Sequence, residues 1–301
     1  MKLTVLGSSC MFPTRDRAQP AMLLSHEGIN LLFDAGEGVQ RQFRIAGLSP
    51  MDIDAVFITH WHGDHSLGVA GLIQCMSGSR RTKPFVIYGP KGTRERIAHL
   101  VQVFDFTMSF PIDVHEISLP RGVEKEVCVI NDLTVSAFRL RHGSVCLGFI
   151  VREADKRKIN LEYVKQYGLT QHPLLGKLQR GEDITYQGHR ITVDKGTYLK
   201  PGRKFVYVSD TAFFPELVDF CEGADLLLCE STYTSDCEEK AGDRNHLTSE
   251  EAGMLARDAK VKMLILTHFS QRYTSDAPFV AEARKFFPNV EAARDFKVFT
   301  F

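Results

Sequence analysis

The sequence predicts an α/β fold in which two mixed β-sheets pack face to face with helices on their outer faces. Three observations carry that prediction. Short apolar runs bounded by turn residues recur along the chain, as the strands of buried sheets do. They come in two series, each followed by helical periodicity, which is the order expected of layered sheets and helices. Residues 153–203 break the pattern and read as a flexible arm inserted into, and projecting from, a single domain spanning 1–301.

In the first series, residues 3–6, 21–24, 30–33, 55–58 and 85–88 are apolar runs of strand length. Residues 67–76 are apolar and glycine-containing, as expected of a helix packed beneath a site. Residues 92–104 have helical periodicity with charges on one face. In the second series, residues 134–140, 147–151, 204–208 and 226–228 are the clearest strands. Helices are predicted over 249–258 and 278–287, the first introduced by a cap-like His246-Leu247-Thr248-Ser249-Glu250. Between them, residues 261–266 form a solid apolar strand ending at Thr267-His268. The 153–203 stretch is polar, with Lys or Arg at 156, 157, 158, 165, 177, 180, 190, 195, 200 and 203 and tyrosines at 163, 167, 186 and 198.

Composition sets the outer limits. The chain has 301 residues, 44% hydrophobic and 25% charged, ordinary values for a globular protein with a substantial core. A formal net charge of zero gives no global attraction to nucleic acid or an anionic membrane, so any polyanion must be held by local patches. Residues 1–7 enter a strand pattern with no signal-peptide apolar region, and no apolar stretch is long enough to span a bilayer. The seven cysteines show no C-x-x-C spacing and read as reduced thiols, mostly core fillers. A cytoplasmic protein without membrane attachment is expected.

The chemistry is concentrated in His60-Trp61-His62-Gly63-Asp64-His65, three imidazoles and a carboxylate directly behind the apolar run 55–58. Neutral imidazoles with a carboxylate suit Zn²⁺ or a similar first-row ion. His60 and His62 can point to one side of an extended segment, while Asp64 and His65 diverge after Gly63. One pair can serve one ion and the other a second. A bridged pair needs more ligands, and three further strand ends supply them: His142 in Arg139-Leu140-Arg141-His142-Gly143, Asp210 in Val208-Ser209-Asp210-Thr211, and His268 in Leu266-Thr267-His268. Asp210 is the natural bridging carboxylate.

With these motifs in view, the chain resembles the ribonuclease Z family of the metallo-β-lactamase superfamily, over essentially its whole length. Asp34 in Phe33-Asp34-Ala35-Gly36-Glu37-Gly38 matches the superfamily's first motif, and His60, His62, Asp64, His65, His142, Asp210 and His268 match its ligand set. More selective are Ala224-Asp225-Leu226-Leu227-Leu228-Cys229-Glu230-Ser231-Thr232-Tyr233, His246-Leu247-Thr248, and Thr267-His268-Phe269-Ser270-Gln271-Arg272-Tyr273. The chain departs from the family at two places. Pro13-Thr14-Arg15-Asp16-Arg17-Ala18 replaces a lysine by arginine and an asparagine by alanine in a loop that reads the substrate's 3′ end, which bears on CCA recognition. His172-Pro173 lacks the glycine of the arm's return.

The resemblance implies the metallo-β-lactamase fold and a tRNA 3′-processing endonuclease with two divalent ions, Zn²⁺ or alternatively Mn²⁺. One ion would lie on His60, His62, His142 and Asp210, the other on Asp64, His65, His268 and the same Asp210. Asp64 would also orient the attacking water and take its proton. His246 would be the general acid for the leaving 3′-oxygen, oriented by Glu230. Asp34 and Asp225 would orient ligand histidines, and Arg272 would contact phosphate, with Arg15 and Arg17 near the cleft. The arm of one subunit would grip precursor tRNA cut in the other, which implies a homodimer. A dinuclear hydrolase acting on a small phosphodiester, sulfate ester or lactone is the alternative. The basic arm argues against it, and the intact ligands argue against a non-catalytic RNA-binding homologue.

Overall fold

The computed structural model describes residues 1–103, 105 and 107–301. The chain divides into two compact units, Met1–Val151 with Lys204–Phe301, and Arg152–Arg203. In the larger unit the first strands are β1 (Lys2–Gly7), β2 (Ala21–His26), β3 (Ile29–Phe33), β4 (Ala55–Phe57), β5 (Phe85–Pro90) and β6 (Ile112–Ile117). Then come β7 (Glu124–Ile130), β8 (Leu133–Arg139) and β9 (Leu147–Glu153). The inserted unit holds β10 (Lys156–Ile159), β11 (Ile184–Tyr186), β12 (His189–Ile191) and β13 (Thr197–Lys200), and the chain returns through β14 (Lys204–Val208), β15 (Leu226–Glu230), β16 (Leu264–Thr267), β17 (Val290–Ala292) and β18 (Val298–Thr300).

Two seven-stranded sheets result, ordered β18-β1-β2-β3-β4-β5-β6 and β17-β16-β15-β14-β9-β8-β7. Both are mixed. β3 to β6 run parallel while β18, β1, β2 and β3 alternate. In the second sheet β14 to β17 run parallel and β7 pairs antiparallel with β8.

The period of two along each strand sorts side chains between layers. In β3, Leu31 and Phe33 join the cluster between the sheets, whereas Leu32 faces the outer layer with Val56, Ile87, Phe43 and Leu72. Of these partners, Phe43 and Leu72 come from the helices Val39–Ile45 and Gly68–Gly78. Across the inner layer Phe33 stacks on Phe57 at 5.2 Å and meets Phe149 and Phe205 of the other sheet at 5.7 Å. Truncating Phe33 to alanine should cost about 3–5 kcal/mol.

The helix expected over 92–104 is Thr93–Val103; Phe104, its expected last residue, lies outside the described residues. The helix expected over 249–258 occupies Ser249–Asp258, and Thr248 caps it in a reciprocal box with Glu251. The inserted unit has its own small core of Val164, Leu169, Leu178, Ile184 and Ile191. Among the described residues no helix is long and apolar enough to cross a membrane.

Candidate metal centre

The parallel strands place the chemistry, because their carboxyl ends share one edge of the molecule. Asp34 follows β3, the His60 to His65 segment follows β4, His142 follows β8, Asp210 follows β14, Glu230 ends β15, and His268 follows β16. Asp34 and His268 both adopt left-handed backbone conformations, φ 58° and 64°. Such conformations cost a non-glycine residue on the order of 1 kcal/mol and cluster at functional sites. Gly68 lets its helix start against the Asp34 loop: a Cβ there would lie 2.1 Å from the Gly36 carbonyl oxygen.

Seven side chains converge in two groups that share Asp210. In the first, His60 Nε2 is 2.9 Å from His62 Nδ1, His62 Nδ1 is 3.4 Å from His142 Nε2, and Asp210 Oδ2 lies 3.8 and 3.9 Å from His60 and His142. In the second, His65 Nε2 and His268 Nε2 are 3.3 Å apart. Asp64 Oδ2 lies 3.4 and 3.5 Å from them, and Asp210 Oδ1 lies 3.5 and 3.3 Å. A tetrahedral ion with ligands at 2.0–2.2 Å spaces them by roughly 3.3–3.6 Å, so both groups have the separations of a coordination shell. Asp210 turns one oxygen to each group.

The electrostatics agree. Burial alone would raise the Asp64 and Asp210 carboxyls, but the imidazoles facing them outweigh it and hold both far below the usual carboxylate range. Burial, with His65 nearby, pushes His60 well down and keeps it neutral, as a ligand must be. The donor set therefore fits divalent metal.

In four of the five ligand histidines the donor nitrogen is aimed by what the ring's other nitrogen touches. His65 Nδ1 lies 2.7 Å from Asp34 Oδ2, and Asp34 also accepts from the Thr59 N–H at 2.8 Å and the Tyr207 hydroxyl at 3.1 Å. His60 Nδ1 is 3.0 Å from Thr59 Oγ1, His268 Nδ1 is 2.8 Å from Thr232 Oγ1, and His142 Nδ1 is 3.3 Å from the Asn245 carbonyl oxygen.

Glu230 is fully buried yet hydrogen-bonded on both oxygens. It accepts from the Thr211 N–H at 3.0 Å, the Thr232 N–H at 3.1 Å and the Thr232 hydroxyl at 2.8 Å, and it meets His246 Nδ1 at 2.9 Å. Burial would lower the His246 pKa, but the facing Glu230 carboxylate pushes it up to about 9. Five of the ligands, His62, Asp64, His142, Asp210 and His268, line one open cavity of about 850 Å³ with His246.

Four expected residues are placed as follows. Arg272 lines this cavity. Arg15 and Arg17 line an adjoining hollow instead, with the Arg17 guanidinium 4.8 Å above the Phe269 ring and 3.9 Å from Asp276. Asp225 corrects the sequence reading. It precedes β15, at the end opposite Glu230, accepts from the Lys204 N–H at 2.7 Å and pairs with Lys262 at 2.6 Å, and so orients no ligand histidine. Five residues of strand, roughly 16 Å, separate it from the site edge.

Sequence reasoning passed over Thr59, Thr232, Tyr207 and Thr211. Thr59 and Thr232 each adjoin a motif, but a hydroxyl beside a motif has too many ordinary uses to stand out.

The family model "Beta-lactamase superfamily domain" matches residues 166–269, and the model "Anti-Pycsar protein Apyc1" matches residues 1–156. The chain is 41% identical to ribonuclease Z of Thermococcus gammatolerans over 307 aligned residues, covering 100% of this chain and 95% of the relative. It is 36% identical to ribonuclease BN of Cronobacter sakazakii, with 100% of both covered. The crystal structure of the short form of human tRNase Z superposes with a TM-score of 0.74 at 27% identity, covering 100% of this chain and 99% of the other. The shared sheets, the complete donor set and identity over the full length together establish that the chain belongs to the ribonuclease Z family of the β-lactamase superfamily.

Proposed function

We propose that the protein is a tRNA 3′ endonuclease, cutting precursor tRNA after the discriminator base to leave a 3′-hydroxyl on the tRNA and a 5′-phosphate on the trailer. The supporting observation is the Glu230–His246 pair at 2.9 Å, whose His246 lines the same cavity as five of the seven donor side chains. The two donor groups would hold Zn²⁺, with Mn²⁺ tolerated by the carboxylates. Two such cations, when bound, lower the pKa of water and offset the charge that gathers on phosphorus.

The remaining steps fall to the chain. Asp64 reaches the cavity and, being held ionised, can orient a water and accept its proton. His246, kept protonated by Glu230, donates to the departing 3′-oxygen. Cations on the inserted unit, together with its exposed Leu161, Tyr198 and Leu199, would grip the body of the tRNA. In a cytoplasmic homodimer each arm would serve the other subunit's site.

The test is cleavage of a precursor tRNA with analysis of both new ends, alongside bis(p-nitrophenyl) phosphate. Hydrolysis of the small ester with the precursor left uncut would replace this reading by a small-phosphodiester hydrolase. His246→Ala should lower kcat roughly 10²- to 10⁴-fold with metal content retained; loss of metal instead would make it a ligand.

A further inference from the structure

Three cations line the metal cavity on the side of His246: Lys240 and Arg244 from the helix Glu238–Arg244, and Arg272 from the loop after β16. Some cations elsewhere on the surface are paired, as Lys262 is with Asp225 at 2.6 Å and Arg294 with Asp276 at 2.7 Å. Among the described residues no carboxylate lies within 4.0 Å of Lys240, Arg244 or Arg272. Asp243 shares their wall without pairing with any of them.

The wall is organised from beneath. Tyr233 is buried, and its backbone is bridged to Thr248. Its ring supports the Arg272 guanidinium at 5.3 Å, its phenol feels the positive charge of Arg244, and it stands edge-on to His246 at 6.2 Å. A buried aromatic that presents two guanidiniums in one direction reduces the ordering cost of gripping an anion.

Position selects which anion. If His246 protonates the leaving 3′-oxygen, the nucleotide 5′ of the cut lies on its side of the cavity, and that nucleotide's own 5′-phosphate comes next along the strand. We propose that Arg244 and Arg272, beside Tyr233, with Lys240 on the same cavity wall, form a second phosphate subsite for the phosphodiester immediately 5′ of the one cleaved. The subsite rests on the endonuclease reading.

The test uses full-length protein and precursor tRNAs carrying one uncharged methylphosphonate, either at that linkage or several linkages further 5′. Rates are referred to bis(p-nitrophenyl) phosphate hydrolysis, so that damage to the metal centre is divided out. In the unaltered enzyme the substitution at the proposed linkage should raise KM about tenfold with kcat within about twofold, while the distant one does little. In Lys240→Ala/Arg244→Ala the native substrate should already show that rise, and the methylphosphonate should add less than about twofold. The slope of log(kcat/KM) against log salt should fall by about 0.7, the value for one lost phosphate contact in a single strand. Lys240→Arg/Arg244→Lys keeps the charges and should keep the sensitivity.

Equal sensitivity in the unaltered enzyme and the double alanine variant overturns the subsite and leaves the endonuclease standing. Failure of the unaltered enzyme to cut the unmodified precursor overturns the endonuclease reading and the subsite with it.

Discussion

The two donor groups are chemically alike but differently supported. Asp64, His65 and His268 are all buried, and the two histidines are buttressed by Asp34 and by Thr232, itself tied to Glu230. In the other group His62 is exposed and His142 half-buried, and the partners behind His60 and His142 are a neutral hydroxyl and a backbone carbonyl. A carboxylate behind an imidazole raises its basicity and fixes its tautomer. The inner group should therefore hold its ion more tightly, and the outer group should exchange with solvent and meet substrate first.

The largest effect expected is at the residue both groups share. Asp210→Ala should release both ions to a chelator and leave less than about 1% of phosphodiesterase activity, since losing a direct ligand should exceed the 10- to 100-fold effect of an orienting partner. Retention of one tightly held ion would show that the groups are independent. Asp34→Asn comes next and should weaken chiefly the inner ion, about 10- to 100-fold in competitive chelator titration, with a smaller effect on the outer one through Thr59. If the more weakly held ion were the one more affected, the ranking of the two groups would reverse. Thr232→Val strands the His268 Nδ1–H and part of Glu230, and should cost about 1–3 kcal/mol in urea unfolding with a smaller loss of inner-ion affinity. Asp225→Asn should change activity negligibly and stability by less than about 1 kcal/mol, as its partner Lys262 is largely exposed.

The ligands were legible because metal binding restricts residue types: seven His and Asp at strand ends have few other common uses. Strands of the buried sheets were legible for a similar reason, since burial demands apolar runs. The helix Glu238–Arg244, which carries the proposed phosphate wall, buries only Ala241 and so writes no apolar stripe. β7 is half exposed and mixes charges with valine, which conceals its period of two. The core of the inserted unit is drawn from five residues scattered over 164–191, too sparse for periodicity. Asp225 misled because closeness to a motif in sequence is not closeness in space: a strand carries its two ends apart.

His65 and His268 stand 3.3 Å apart in space and 203 positions apart in the chain. Contacts of such long range form late in folding, after the loops between them have closed. During synthesis strands β1 to β6 can emerge with His60, His62 and His65 while the inner donor group still lacks its last member. A nascent or truncated chain ending before residue 268 would carry recognition surfaces without a competent centre, so nuclease activity would begin only once His268 has been made.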